Sequence, residues 1–199
     1  YAGGIRLAEV TVDSPDAFEM ITKLRKIWDG KLYIGACGRA GEAGHVRLEK
    51  FGPVGYGKAG SFEGFCSGGG IAQYVSARVM EARQRGETLD FPWECGVSGA
   101  KDLGQAAEAG SLAARRIWEE IGEYFGRGLA ILCDILNPER IVAGGVYMRS
   151  GKWMQEGIRR TLEAEALCPV PVAPAQLGEK IGDVAALTVA AYGLAQGKK

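Results

Sequence analysis

From Ser111 to Leu136, apolar residues recur at steps of three and four through Ile117, Ile121, Phe125, Leu129, Leu132 and Leu136. That spacing puts them on one face of a long helix, and a stripe of this length needs a second layer to cover it. Ser111 stands where a helix cap is expected, and Asn137-Pro138 ends the run, because the residue before a proline is pushed out of the helical region. Arg140 to Ala143 then reads as a short apolar strand that runs at once into Gly144-Gly145. Helix, strand and glycine turn in that order are parts of a sheet packed by helices.

The same alternation fills the rest of the chain. Ile5 to Val12 reads as a strand, and a helix is expected from about 15 to 28, with Ser14 as cap and Pro15 in the first position. Asp29-Gly30 makes a turn, Leu32 to Ile34 a short strand, and Gly35 to Gly44 a loop. Val46 and Leu48 alternate with Arg47 and Glu49, as in a half-buried strand. The stretch from Gly52 to Gly70 carries eight glycines and Pro53, and reads as a long irregular loop. Helices are expected over Ile71 to Arg85, Ala100 to Ala109 and Trp153 to Ala166, a strand over Val170 to Val172, and a last helix from a cap at Asp183 to Leu194. The fold class is α/β.

Composition narrows the function. The 199 residues hold 24 Lys and Arg against 24 Asp and Glu, so there is no basic excess to attract nucleic acid or an anionic membrane. No apolar run approaches the ~20 residues of a membrane span, and a cytoplasmic location is expected. The five cysteines, Cys37, Cys66, Cys95, Cys133 and Cys168, form no Cys-x-x-Cys pair and read as reduced, mostly buried thiols. Glycine is the exception: ~7% usage would give about 14, and the chain has 31. Clustered glycines mark tight turns or places where backbone comes close to a ligand.

Three groups could carry chemistry. Gly41-Glu42-Ala43-Gly44-His45 holds the single histidine, three residues from a carboxylate and between glycines. A carboxylate beside an imidazole can grip vicinal hydroxyls, which suits a sugar or another polyol. Gly60-Ser61-Phe62-Glu63 sets a second carboxylate close to a helix start, where the helix dipole would favour its charged form. Ile141 to Val146 carries a strand into a double glycine, a common place for a ligand at the carboxyl end of a strand.

These residues resemble the ROK family of bacterial sugar kinases and repressors. Gly41 to His45 looks like the family's Glu-x-Gly-His signature, and Gly60 to Glu63 through Ser67-Gly68 and Ile71 is similar to its Gly-Cys-x-Glu and Ser-Gly helix start. Leu136-Asn137-Pro138-Glu139-Arg140-Ile141-Val142 with Gly144-Gly145 resembles its Asn-Pro-Glu strand and nucleotide-side turn, and Leu177-Gly178 through Gly182 and Ala185-Ala186 its closing segment. The resemblance implies an actin/hexokinase-like (ribonuclease H-like) lobe with a mixed sheet. Residues 1–28 would be a remnant of a largely missing first lobe, and 29–199 the second lobe. It further implies phosphorylation of a sugar hydroxyl with MgATP, Glu42, His45 and Glu63 facing the sugar, and Gly144, Gly145 and Val146 near the adenosine. A homodimer through the second lobe, with the Ser111 to Leu136 helix as a contributor, is also among the expectations the resemblance raises.

Two departures stand beside the resemblance. The family's structural zinc is held by the signature His and three cysteines, at whose positions this chain has Val54, Tyr56 and Ser61. No zinc is expected, since a lone imidazole cannot hold one, and Tyr56, Phe62 and Phe65 are expected to order the loop instead. The chain also contains no Asn-Asp-x-Asn segment, which would provide the catalytic Asp, and no Asp-x-Gly-Gly-Thr or Gly-Thr-Gly loop to cradle phosphate. No catalytic residue is therefore assigned in this chain, and activity by the chain alone is not expected. The alternative is a non-catalytic, sugar-binding regulator or sensor.

Overall fold

The computed structural model describes residues 9–10, 27–28, 31–32, 35–37 and 39–176. In chain order its elements are β1 (Glu9–Val10), β2 (Ile27–Trp28), β3 (Lys31–Leu32), a 3-10 turn (Ala43–His45), β4 (Val54–Gly55), β5 (Lys58–Ala59), α1 (Phe62–Cys66), α2 (Gly68–Gln84), α3 (Ala100–Glu108), α4 (Leu112–Leu136), β6 (Ile141–Ala143), α5 (Val146–Glu165) and β7 (Val172–Pro174). β6 is the centre of a parallel sheet in the order β1-β6-β7, with Glu9 opposite Val142 and Ile141 opposite Val172. β2 with β3 and β4 with β5 form two antiparallel ribbons.

Helix α4 organises the rest. The Ser111 hydroxyl accepts from the Ala114 N–H at 3.0 Å, and Asp90 accepts from the N–H groups of Leu112 at 2.9 Å and Ala113 at 3.3 Å. Three of the four unpaired donors of the first turn are thereby satisfied. The Ser111 hydroxyl itself bonds Asp90, and these hydrogen bonds hold the Asp90 carboxyl below the usual carboxylate range. At the other end Asn137 takes φ 43° in the left-handed region, just before Pro138. The predicted stripe faces the core: Ile117, Ile121, Phe125, Leu129 and Leu132 are buried and Leu136 is partly so, with Trp118 buried beside them.

Helix α5 lies against α4 at backbone contact. A side chain at Gly122 would strike the Met154 carbonyl, one at Gly157 the Glu119 carbonyl, and one at Gly126 the Thr161 side chain at 2.8 Å. Small residues at these three crossings bring the helix axes together, and the length of the contact supplies dispersion that larger side chains would hold apart. On its other side α4 meets α1, where a Cβ at Gly128 would fall 2.5 Å from the Phe62 ring.

Several expectations are corrected by the structure. Ile27–Trp28, assigned to the helix over 15–28, pairs instead with Lys31–Leu32; Asp-Gly between short apolar stretches is a hairpin signal that outweighed the helical spacing. The remainder of that helix, and the last helix from Asp183, lie outside the described residues. The glycine-rich stretch 52–70 is no irregular loop: it contains β4, β5, α1 and the first turn of α2. The expected strand at Val46 and Leu48 is reduced to one bridge between Arg47 and Ser61, flanked by the Leu48 N–H donating to the Gly60 carbonyl at 2.8 Å. Helix α5 begins at Val146, not Trp153, because Ser150 and Gly151 occupy buried positions of its first turns and hide the apolar period. β7 sits two residues later than expected. Of the cysteines, Cys66 and Cys133 are buried, whereas Cys37, Cys95 and Cys168 are exposed.

Candidate functional site

The first carboxylate is positioned by a tight turn. Glu42 precedes the 3-10 turn and its carbonyl accepts from the His45 N–H at 3.1 Å. Ala43 and Gly44, between the two, are buried against the core. The second carboxylate stands in the first turn of α1. Ser61 caps that helix by accepting from the Gly64 N–H at 3.1 Å, while its hydroxyl donates to the Lys58 carbonyl at 3.0 Å. The two segments are joined by the Phe62 N–H donating to the Val46 carbonyl at 2.8 Å and by the Arg47–Ser61 bridge.

Glu42 and Glu63 stand on adjoining segments as a consequence. Burial of half-exposed Glu63, followed by repulsion from Glu42, raises its pKa above the usual glutamate value. The expectation from the helix dipole was the reverse. Helix α1 has only five residues, and its field is outweighed by desolvation and by a like charge.

His45 shares the turn but aims elsewhere. It is exposed, and its imidazole meets the edge of Tyr56 with ring centroids 6.2 Å apart. Its carbonyl accepts from the Lys58 ammonium at 2.7 Å. The structure thus sets the two acids on adjoining segments and turns the exposed imidazole toward Tyr56 of the β4–β5 hairpin.

That ribbon occupies the place where thiolates were considered. Val54 is 48% exposed and Tyr56 69% exposed, whereas Ser61 is fully buried with its hydroxyl engaged by backbone. This donor set does not fit zinc, and among the described residues no group of three or more His, Cys, Asp or Glu is arranged to hold a metal. Tyr56 and Gly57 take φ 44° and 75°, the geometry of a two-residue hairpin turn. Phe62 and Phe65 are buried and pin α1 as expected, with Phe65 stacked on Tyr124 at 3.7 Å between centroids. Tyr56, however, sits in solvent and orders the loop only through its turn geometry and its contact with His45.

The polar ties of the ribbon were not evident from sequence. The Gln73 side chain accepts from the Val54 N–H at 2.9 Å and donates to the Val54 carbonyl at 3.0 Å. Arg47 donates to the Ala59 carbonyl at 2.7 Å. Nothing in the local sequence around Gln73 announces a partner nineteen residues away; only the fold brings them together.

At the glycine turn after β6, Gly145 takes φ 58° and ψ −124°, a conformation reserved for glycine, and turns the chain from β6 directly into α5. Gly144 and Val146 are buried beside it. The two halves of the site share one aromatic link. Phe125 of α4 contacts Phe62 edge-on at 5.5 Å and stacks on Tyr147 at 5.9 Å between centroids. Phe62 precedes Glu63, and Tyr147 follows Val146.

Comparison with known proteins follows the same geometry. The family model described as the ROK family matches residues 26–196. A glucokinase of Halalkalibacterium halodurans is 36% identical over 141 residues, covering 70% of this chain and 42% of that protein. An N-acetylglucosamine repressor of Escherichia coli O157:H7 is 28% identical over 142 residues, covering 71% of this chain and 34% of the repressor. The solved ROK family glucokinase of Streptomyces griseus, in complex with glucose and AMPPNP, superposes with a TM-score of 0.60 at 26% identity, covering 76% of this chain and 51% of that one. The chain thus spans about half, or less, of the length of the proteins it matches. The fold is actin/hexokinase-like, a small sheet packed by helices. Among the described residues no helix is long and apolar enough to cross a membrane.

Proposed function

The chain belongs to the ROK family, and on that premise we propose that it is the sugar- and nucleotide-holding part of an ATP-dependent hexose kinase. The observation that supports this reading is the joining of the Glu42 turn to the Glu63 helix start by the Phe62 N–H bond to the Val46 carbonyl and the Arg47–Ser61 bridge, which sets two carboxylates on adjoining segments. Ionised, the pair offers several acceptor sites to the hydroxyls of a hexose and holds its ring by charge-assisted hydrogen bonds. His45, at the rim of the same turn, adds one more polar contact. The glycine turn at Gly144-Gly145, opening the twenty-residue helix α5, suits the adenosine side of a nucleotide. ATP would bring magnesium on its own phosphates, and no step of the reading depends on a zinc ion. No proton acceptor for phosphoryl transfer is assigned among these 199 residues, which contain no Asn-Asp-x-Asn segment.

A second reading, a sugar-sensing regulator, is favoured by that same absence and by the similarity to the N-acetylglucosamine repressor. Titration calorimetry of the chain with glucose and with AMPPNP separates the two. Binding of both supports the kinase reading, binding of glucose alone supports the sensor, and binding of neither overturns both.

A further inference from the structure

We propose that Gln73 is a positioning residue for Glu63, acting as an amide clasp that holds the β4–β5 ribbon on α1 in place of a metal. The inference rests on the sugar-side reading of Glu42 and Glu63.

The ribbon is the bed on which Glu63 lies. A Cβ at Gly55 would fall 3.0 Å from the Glu63 Cβ and 2.5 Å from the Gly64 nitrogen, so β4 touches α1 backbone to backbone at the carboxylate's own residue. The Gly60 N–H donates to the Pro53 carbonyl at 2.9 Å and closes the ribbon's base. A two-stranded ribbon is marginal by itself and takes its place from what grips its outer edge. That grip comes from α2. Gln73 engages the N–H and the carbonyl of Val54 together, as a neighbouring strand would, at 2.9 and 3.0 Å. The donor and acceptor of one planar amide fix both the height and the tilt of β4, which a single hydrogen bond does not do.

The residues that would otherwise tie this segment are unsuited to a metal. Val54 has no donor atom, Tyr56 projects into solvent, and the Ser61 hydroxyl is already bonded to the Lys58 carbonyl and the Gly64 N–H. Gln73 itself is exposed and outside the apolar core, so its truncation leaves the helix packing intact.

The test compares the 199-residue chain with its Gln73→Ala and Gln73→Glu variants by three readouts. Hydrogen exchange of the amides at 54–60 is expected to accelerate about tenfold in Q73A, as one modest hydrogen-bonded contact is lost. Glucose affinity by calorimetry is expected to weaken by a similar factor while Tm stays within a few degrees. Q73E, which still accepts from the Val54 N–H but cannot donate to its carbonyl, is expected to fall between the two. Treatment of the parent chain with 1,10-phenanthroline is expected to change neither exchange nor affinity. The proposal is overturned if Q73A exchanges like the parent, if its exchange rises with glucose affinity unchanged, or if phenanthroline loosens the ribbon. If the parent binds no glucose, the sugar reading fails and with it the role given to Glu63, while the exchange measurement still decides the clasp.

Discussion

Ionising Glu63 costs more in the folded chain than in the unfolded one, because burial and the neighbouring Glu42 both oppose a charge there. An acid whose pKa rises on folding adds stability while protonated, below its unfolded value near 4.5, and that contribution is lost as the pH climbs through the folded pKa. Glu63→Gln removes the loss. Thermal unfolding of E63Q is therefore expected at a higher Tm than the parent at pH 7, with the two curves converging below pH 4.5. A lower Tm for E63Q at pH 7 would mean that the ionised carboxylate is held by donors in the folded chain. Both acids were singled out in the sequence because glycines and spacing mark their turns, and the structure sets them in a 3-10 turn's approach and a helix's first turn. It missed the sign of the Glu63 shift, because desolvation depends on what the fold packs around a side chain.

At the scale of elements, the helices were legible and the ribbons were not. The stripe of α4 is read from period alone, and its ends from Ser111 and Asn137-Pro138. The β4–β5 ribbon has two residues in each strand, too few to show alternation, and its decisive partner is a side chain on another helix. Helix α5 was read one and a half turns or more too short because its buried face includes Ser150, Gly151 and Gly157. Those glycines are structural. Gly157→Ala puts a methyl into the Glu119 carbonyl, and backbone cannot yield as a side chain tip does. Unfolding by urea is expected to show a loss of about 1–3 kcal/mol, the usual cost of overpacking, against a negligible change for Ala at exposed Gln155. Equal stability of G157A would show that α4 and α5 do not meet as closely as described.

At the scale of the whole molecule, the described residues join the two candidate segments through one core. Phe62 and Tyr147 both rest on Phe125, so the carboxylate pair and the glycine turn are parts of the same rigid packing. The family was readable in the sequence because its motifs are local, whereas the polar ties of the β4–β5 ribbon were not, because they cross the fold. What decides the account is the pH dependence of glucose binding to the chain, measured by calorimetry. With the carboxylate pair as the sugar-binding wall, affinity is highest at neutral pH and falls as Glu63 takes up its proton, starting above the ordinary glutamate value of 4.5, and E63Q binds weakly at every pH. Glucose affinity that is the same in E63Q as in the parent, and flat across that range, would contradict it.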